Sequence, residues 1–466
     1  MCAEPIYPEV VLSSAPGKVI LSGEHAVVHF KTAIAVSVDL RTFVSIHVEP
    51  FAGLGEATIA LDMPDVRLDS ALLSCAKIAA LGPGLPSDAE AACSPLEMTD
   101  HTREAFDAAS KAFVENPASL SLASVDAKQS STPLPQSALA LTGFLFLVRH
   151  LLVDKLTELG LLANVSVHST LPIGAGLGSS ASYATALSAA LLKWRVLLAA
   201  PDTPAKWFHS AAFRDLVNQW SFRAEQLIHG TPSGVDNFVS TFGGTVAFRR
   251  GEAPVSMPPL PAFLRFIVTN TRVPRSTRAL VEKVASNLAE FPTVVGPVLD
   301  AIQGISDAYV ELLAPLGPTG GADLDHPAMC AFLAKFAKLM TINNHLLSSV
   351  GVGHASIDRV ADIAGSLGQC ATKLTGAGGG GCVISLVPEP VAPDTQAQVA
   401  AVVDAVSTGL REAGFAPFET RLGGPGVLFY DLADDLPGAG PEDDPHALRS
   451  AMHAACSDHK FWVEIE

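Results

Sequence analysis

The sequence predicts an α+β protein of two domains. The chain has 466 residues, of which 48% are hydrophobic and 17% are charged, and at roughly 150 residues per domain this length suits two or three hydrophobic cores. Segments rich in β-branched residues alternate with long helical stretches in both halves, which is typical of sheets covered by helices. The Pro-rich residues 258–261 are interpreted as a linker between the halves.

The first half, residues 1–257, is predicted to form a strand-rich domain. Strands are expected where β-branched and alternating residues occur, at 18–22, 33–48, 57–62, 164–168 and 243–249. Apolar residues at spacings of three and four predict helices at 179–198 and 211–229. Clusters of Gly, Pro and Ser/Thr break every periodic pattern at 79–136, so we predict a long insertion there.

The second half, residues 258–430, is predicted to be one sheet with packed helices. Strands are expected at 263–270, 370–374 and 382–387, and two final strands end near Tyr430. Helical stretches are expected at 279–313, 328–350, 356–367 and 395–413. The acidic, Pro- and Gly-rich residues 431–466 are predicted to form a solvated tail.

Charge and composition argue against several classes of protein. The 30 Lys and Arg against 47 Asp and Glu give a net charge of −17, which disfavours binding to nucleic-acid phosphates. The apolar stretch at 138–148 is too short to span a bilayer and is predicted to be a buried helix, so we expect no membrane span. No secretory signal is visible, and the seven cysteines contain no CxxC pair. This pattern favours a cytoplasmic protein over a disulfide framework or a zinc site.

The strongest chemical motif is a glycine-rich loop at residues 171–182. Gly174, Gly176 and Gly178 alternate there, and Ser179 and Ser180 follow at the start of a predicted helix. Glycines let the backbone approach a ligand closely, and the N–H groups at a helix start favour an anion. The loop therefore predicts a phosphate-binding site. A second glycine run, at 376–381, is followed by a predicted strand; it is either part of the same site or a tight connection.

Two further clusters carry polar residues next to buried segments. Lys18 follows a predicted Pro16-Gly17 turn, and Glu24 and His25 stand at the far end of the same strand. Glu225 lies late in a predicted helix, where the helix dipole disfavours a carboxylate and favours a compensating cation. Asp236 follows the Gly- and Pro-containing loop at 230–234. Each cluster alone is weak evidence for a site.

Two other nucleotide-binding patterns do not fit. A dinucleotide-binding fold needs a third glycine where Ser179 stands and an acidic residue about twenty positions later at a strand end. The Walker pattern requires Ser or Thr after its lysine, but Val19 follows Lys18. The run at 376–381 satisfies GxGxxG literally, but a strand rather than a helix follows it.

Together these clusters resemble the GHMP small-molecule kinases in content and order. Within that family, the chain closely resembles the members that phosphorylate mevalonate. The resemblance covers most of residues 10–430 outside the insertion. It is carried by residues 23–29, 174–181, 228–237, 269–280, 351–356 and 373–382. Galactokinases fit less well, because they carry an Arg and an Asn ahead of Gly-Glu-His, where this chain has Lys18 and Leu21-Ser22.

The resemblance implies an N-terminal domain like ribosomal protein S5, a C-terminal ferredoxin-like α/β sandwich and an active site in the cleft between them. It implies ATP-dependent phosphorylation of the primary hydroxyl of mevalonate in isoprenoid and sterol synthesis, with ATP and Mg²⁺ bound. Asp236 would accept the hydroxyl proton and Lys18 would pair with it and with the reacting oxygens. The implied magnesium ligands are Ser180 and Glu225.

The resemblance also implies the remaining binding residues. Those for the nucleotide are Ser169, Gly174, Ala175, Gly176, Leu177, Gly178, Ser179 and Ser180. Those for mevalonate and phosphate are Lys18, Glu24, His25, Asp236 and Thr277. Asp65 stands where some relatives carry an Asn that contacts the nucleotide, so a nucleotide contact at Asp65 is left open. The family commonly forms homodimers and is inhibited by prenyl diphosphates that compete with ATP.

Two alternatives stay open on the sequence alone. Another GHMP kinase, such as phosphomevalonate kinase, would need extra cationic groups for a phosphorylated acceptor. A non-catalytic ligand sensor on the same fold would tend to lose the base or loop residues, whereas Lys18, Ser180, Glu225 and Asp236 are all present.

Overall fold

The structure is a computed structural model that describes residues 10–50, 56–81, 108, 135–230, 232–388 and 395–430. Nearly all of the predicted insertion at 79–136, and the whole predicted tail at 431–466, lie outside the described residues. The described residues form two sheets with helices packed on them, as the predicted α+β class requires.

The first sheet has eight strands and is built mainly from the first half of the chain. Its strands are β1 (Val10–Ser22), β2 (Thr32–Pro50), β3 (Thr58–Met63), β4 (Leu68–Ser74), β5 (Leu161–Ser169), β6 (Thr245–Arg249), β7 (Val255–Met257) and β12 (Leu428–Tyr430). The strand order is β12-β1-β2-β5-β3-β4, while β6 pairs with β2 and with β7. Among the described strands of this sheet, β3 and β5 pair in parallel and the other pairs are antiparallel.

Helices from the same half cover this sheet. They are α1 (Cys75–Ala79), α2 (Pro135–Leu151), α3 (Val153–Leu159), α4 (Ser179–Ala199), α5 (Ala211–His229) and α6 (Val235–Phe242). Their apolar faces and those of the strands form one hydrophobic cluster that includes the fully buried Phe144, Trp194 and Trp220. The helix α4 is buried along most of its length and packs on β1, and the Ser182 hydroxyl in its first turn donates a hydrogen bond to the carbonyl oxygen of Ala15.

The second sheet has four antiparallel strands in the order β11-β8-β10-β9. They are β8 (Arg265–Asn270), β9 (Ala371–Leu374), β10 (Cys382–Val387) and β11 (Ala416–Thr420). The helices of this half are α7 (Thr277–Glu290), α8 (Pro292–Leu313), α9 (His326–Ser349), α10 (Ala355–Gly368) and α11 (Thr395–Glu412). A hydrophobic cluster shared by both sheets, with Val19 and Phe266 among its members, fixes one sheet against the other.

The chain returns to the first sheet at its last described strand. The two predicted final strands exist, but β11 pairs with β8 whereas β12 pairs with β1. Buried Arg41 holds the connection between them, donating hydrogen bonds to the carbonyl oxygens of Pro425 and Gly426. We propose a domain boundary near residue 257, with β12 completing the first domain.

The predicted turn at Pro16-Gly17 is wrong. Both residues lie inside the continuous strand β1, where the pairing with β2 shifts register between Pro16 and Gly17. A bulge tolerates proline because the regular ladder hydrogen bonds are interrupted there. A Cβ on Gly17 would lie 2.5 Å from a Leu171 methyl carbon and 2.6 Å from the Leu177 carbonyl oxygen. Glycine therefore lets the glycine-rich loop pack directly on β1.

Within the described part of the chain, no single helix is both long enough and apolar enough to cross a bilayer. The segments Ser137–Leu151 and Val153–Leu159, bent by 51° from each other, are long and apolar enough only when they are taken together. Both segments contribute residues to the first hydrophobic cluster, including fully buried Leu145, Leu151 and Leu156.

Candidate active site

A cleft of about 520 Å³ opens where the two sheets meet. The first half supplies its β1 residues, the glycine-rich loop and the first turn of α6, and the second half supplies the first turn of α7 and the glycine run. Most of the predicted site residues line it: Lys18, Glu24, His25, Ser169, Gly174, Gly176, Gly178, Ser179, Ser180, Asp236 and Thr277. Residues far apart in sequence thus form one site.

The glycine-rich loop has the geometry that phosphate binding needs. Gly174, Gly176 and Gly178 have φ angles of 72°, 85° and 71°, which is the left-handed region that favours glycine. The loop leads into α4, a helix of 21 residues, whose N-cap residue Gly178 has no side chain to cap the first turn. The N–H groups of that turn are therefore available to an anion, which the helix dipole also favours.

Ala175 and Leu177 contribute to the loop in a different way from the glycines. Their side chains are buried in the cluster shared by the two sheets, and they do not line the cleft. The carbonyl oxygen of Leu177 accepts a hydrogen bond from the backbone N–H of Lys18 at 2.8 Å. Any nucleotide contact by these two residues would therefore be made by their backbone, while their side chains anchor the loop.

Lys18 and Asp236 form an ion pair beside the loop. The distance between Lys18 Nζ and Asp236 Oδ1 is 3.3 Å, and the side chains are 9% and 36% exposed. Asp236 lies in the first turn of α6, a helix that the sequence did not predict, so its carboxylate is close to a positive helix end. A Cβ on Gly178 would lie 3.7 Å from Asp236 Oδ2. The pair is therefore adjacent to the predicted phosphate site.

Ser180 and Glu225 lie close together at the other side of the loop. Ser180 Oγ is 3.0 Å from His229 Nε2, and the same nitrogen is 3.9 Å from Glu225 Oε2. Glu225 is 3% exposed, and its Oε1 has no hydrogen-bond partner within the described residues. Burial, together with the charge of Asp236, raises the pKa of Glu225 to about 8.

This arrangement fits a divalent cation. A buried carboxyl with an unpartnered oxygen lacks positive charge nearby, and a bound cation would supply it. Magnesium prefers oxygen ligands and keeps several waters, so one hydroxyl and one carboxylate suffice when nucleotide oxygens complete the shell. Within the described residues, no three His, Cys, Asp or Glu side chains converge on one point as a metal cluster.

Glu24 lines the cleft, but its carboxylate is engaged elsewhere. Glu24 Oε1 is 2.5 Å from Lys373 Nζ, and both side chains are fully buried. Asn343 Nδ2 donates a hydrogen bond of 3.1 Å to the other carboxylate oxygen. The carboxylate therefore ties β1 to the second half of the molecule, and substrate binding by Glu24 stays a prediction.

His25 has a free acceptor atom in the cleft wall. Its Nε2 lies 2.8 Å from the carbonyl oxygen of Ala377, which can only accept a hydrogen bond, so Nε2 is the donor. Burial lowers the pKa of the ring, which favours the neutral form. In that form Nδ1 is an acceptor, and it is buried with no partner within the described residues. His25 can therefore accept a hydrogen bond from a hydroxyl group.

Apolar side chains from the first half of the chain line one part of the cleft, and they suit a nucleotide base. They are Met63, Val66, Leu139, Val167, Tyr183 and Ile228. Asp65 Oδ2 accepts hydrogen bonds from Ser169 N at 2.7 Å and from His168 Nδ1 at 3.0 Å. The Ser169 hydroxyl bonds Thr42 Oγ1 and accepts from Leu171 N. Asp65 and Ser169 thus fix the entry to the glycine-rich loop, and both line the cleft.

Comparison with known proteins identifies the family. Residues 146–244 match the domain family described as "GHMP kinases N terminal domain", and residues 329–411 match the one described as "GHMP kinases C terminal". The mevalonate kinase of Homo sapiens is 36% identical over 427 residues, covering 91% of this chain and 95% of the relative. The mevalonate kinase of Bos taurus is 35% identical over 433 residues, covering 91% and 96%. The chain belongs to the mevalonate kinase family of GHMP kinases.

Solved structures of the mevalonate kinase family share the fold. The Methanococcus jannaschii mevalonate kinase has a TM-score of 0.56 at 21% identity, covering 88% of this chain and 98% of its own. The L. major mevalonate kinase, solved in complex with R-mevalonate, has a TM-score of 0.53 at 20% identity, covering 88% and 95%. The predicted two-domain fold and the predicted family are therefore confirmed.

Arg275 and His229 are among the polar residues of the cleft that were not predicted from the sequence of this mevalonate kinase family member. Arg275 donates hydrogen bonds to the carbonyl oxygens of Ala175 at 3.3 Å and Gly378 at 3.5 Å, so it bridges the two glycine clusters. His229 was overlooked beside Ser180. Arg275 lies two residues before Thr277, and His229 lies four residues after Glu225. Both lie at helix ends within motifs already noted, and that position was the signal available in the sequence.

Proposed function

We propose that the chain transfers the γ-phosphoryl group of ATP to the primary hydroxyl of mevalonate, giving 5-phosphomevalonate and ADP. The observation that carries the proposal is the Lys18–Asp236 pair, which lies in one cleft with a glycine-rich phosphate loop. Phosphoryl transfer needs alignment of donor and acceptor and neutralisation of charge more than covalent help from the protein. The cleft offers groups suited to each of these tasks.

The proposed reaction assigns a role to each side of the ion pair. The carboxylate of Asp236 accepts the proton of the primary hydroxyl as its oxygen forms a bond to the γ-phosphorus. The bond between that phosphorus and the bridging oxygen breaks, and ADP leaves. The ammonium of Lys18 lies against Asp236 and next to the loop, so it stabilises negative charge on the reacting oxygens.

The remaining residues bind the nucleotide and its cation. The backbone of the loop from Gly174 to Ser180 cradles the phosphates, and Arg275 adds a positive charge across the cleft. Ser180 and Glu225 hold Mg²⁺, which neutralises phosphate charge when it is bound. The apolar part beside Ser169 takes the base.

The acceptor would lie between Asp236 and the wall formed by His25, Thr277 and the side chains of Val27 and Val28, all of which line the cleft. His25 Nδ1 suits a hydroxyl of the acceptor, and the two valines suit a methyl group. Mevalonate carries both groups. Glu24 supports this wall through Lys373 rather than by touching the acceptor.

We further propose that the protein acts in isoprenoid and sterol synthesis in the cytoplasm, as a homodimer inhibited by prenyl diphosphates. Of the described cysteines, Cys75, Cys330, Cys370 and Cys382 are free thiols, which suits a reducing compartment. The apolar part of the cleft next to a phosphate loop suits a prenyl chain joined to a diphosphate.

An acceptor panel tests the proposed function. ADP release is measured in a coupled assay with ATP and Mg²⁺ against mevalonate, phosphomevalonate, galactose and homoserine. We expect turnover with mevalonate alone. Turnover with phosphomevalonate instead would contradict the proposed acceptor but keep the mechanism, and ATP binding without turnover on any acceptor would contradict the kinase activity itself.

A further inference from the structure

One imidazole lies against both groups assigned to the cation. His229 Nε2 is 3.0 Å from Ser180 Oγ and 3.9 Å from Glu225 Oε2. His229 is the last residue of α5, and Glu225 lies one turn earlier on the same helix, so both side chains share a face. Ser180 belongs to the first turn of α4. The three side chains thus converge from two helices, and His229 lines the cleft.

The chemistry of a hydroxyl ligand gives this contact a direction. A hydroxyl oxygen binds a cation through a lone pair, so its hydrogen must be donated to another acceptor. The Glu225 carboxylate can also accept a hydrogen bond from Ser180, but it is itself needed by the cation. Among the described residues, the other acceptor within hydrogen-bond distance of Ser180 Oγ is Nε2 of a neutral His229, whose proton is then on Nδ1.

We propose that His229 is a positioning residue that accepts the hydrogen bond of the Ser180 hydroxyl and thereby turns the oxygen lone pairs of Ser180 toward the divalent cation. The inference rests on the proposed function, because it takes Ser180 and Glu225 as the residues that hold the cation. Groups that orient a metal ligand affect cation affinity although they do not touch the cation.

A role in ending α5 is the competing explanation for His229. Its side chain is 49% exposed, and Gly230 with a φ of 83° follows it, as at many helix ends. Histidine at a helix C-terminus also suits the helix dipole. That role predicts an effect on folding stability, whereas the positioning role predicts an effect on cation affinity, so the two explanations are separable.

The experiment measures cation binding rather than turnover. Mn²⁺ replaces Mg²⁺, and its free concentration is followed by electron paramagnetic resonance in the presence of the full-length enzyme and ATP. The variants are His229→Ala, His229→Gln and His229→Asn. The control is His345→Ala, an exposed histidine on α9 that does not line the cleft. ATP affinity without metal and the melting temperature are measured for each protein.

We expect His229→Ala to weaken Mn²⁺ binding in the ATP complex about ten- to a hundredfold. Glutamine places its amide oxygen near the position of Nε2, so His229→Gln should recover most of this affinity, and the shorter asparagine should not. Metal-free ATP affinity should stay at the wild-type level in all variants, as should every property of His345→Ala.

Three results would overturn the positioning role. The first is Mn²⁺ binding by His229→Ala at the wild-type level. The second is a glutamine variant that binds Mn²⁺ as weakly as the alanine variant, and the third is an equal loss of ATP affinity with and without metal. Absence of Mn²⁺ binding in the wild-type ATP complex would instead contradict the proposed cation site. If His229→Ala fails to fold, the comparison of glutamine with asparagine decides the question.

Discussion

Glu24 and Lys373 are separated by 349 residues in sequence, yet their side chains form a fully buried ion pair with an Oε1–Nζ distance of 2.5 Å. Lys373 also donates to the carbonyl oxygens of Ile20 and Leu374. The pair therefore joins the end of β1 to β9 directly behind the cleft. His25, the next residue, bonds Ala377 and adds a second link.

This ion pair should be strongly coupled in unfolding. Lys373→Met leaves the Glu24 carboxylate buried and unpaired, so we expect a loss of about 3–5 kcal/mol in the free energy of unfolding. The double variant Glu24→Leu/Lys373→Met removes both charges and should lose less than the sum of the single variants. Urea unfolding of the four proteins measures the coupling, with Lys155→Met in an exposed pair as the control. Additive losses would contradict a coupled pair.

Gly176 lies directly against the Arg275 guanidinium, so an alanine at this position should disturb the nucleotide site. Its φ is 85°, and an added Cβ would lie 1.5 Å from Arg275 Nη2. Gly176→Ala must displace Arg275, so we expect a marked loss of ATP affinity. Gly160→Ala is the matched control, because its φ is 64° and nothing lies within 4 Å of the added atom. It should cost only about 1–2 kcal/mol of stability.

Calorimetric titration with ATP distinguishes these glycine variants. We expect Gly160→Ala to bind ATP as the wild type does. Equal ATP affinity in Gly176→Ala and Gly160→Ala would show that Arg275 moves without consequence, and it would remove Arg275 from the nucleotide site.

Glu225 should make the free protein less stable as pH rises. Its pKa is raised from 4.5 to about 8, mainly by burial, so the folded state keeps a proton that the unfolded state releases near pH 4.5. The folded state therefore binds more protons between these values, and the free energy of unfolding falls with increasing pH. The contribution is complete below pH 4.5 and is lost as pH passes through about 8.

Urea unfolding without metal at several pH values tests this dependence. The slope due to Glu225 is at most about 1.4 kcal/mol per pH unit. Glu225→Gln cannot ionise, so its stability curve should be flatter between pH 4.5 and 8. Glu290→Gln, at an exposed position, should follow the wild type. A Glu225→Gln curve parallel to that of the wild type would contradict the raised pKa.

The periodic elements were predictable from the sequence because their residues carry local signals. The helix Ala211–His229 and the strand Cys382–Val387 have the predicted bounds, and the loop before Ser179 leads into a helix as predicted. The short helix Val235–Phe242 was missed, since eight residues after a Gly/Pro loop contain too few turns for a periodic pattern.

Long-range pairing was not predictable from local signals. Nothing in residues 428–430 distinguishes pairing with β1 from pairing with a neighbouring strand, because that choice depends on the turn held by Arg41. The partner of Glu24 was hidden for the same reason: a lysine in a predicted strand gives no sign that it will be buried against a carboxylate 349 residues away. The residue types at the site could be predicted, but not their contacts.

The proposed base is tested most directly by Asp236→Asn. Asparagine keeps the size and polarity of the side chain but cannot accept the hydroxyl proton. We expect turnover of ATP with mevalonate to fall by at least about 10²–10⁴-fold, with ATP affinity retained. Asp323→Asn, an exposed aspartate outside the cleft, should have wild-type turnover. Near-normal turnover in Asp236→Asn would contradict the account, because the ion pair with Lys18 would then have no part in the chemistry.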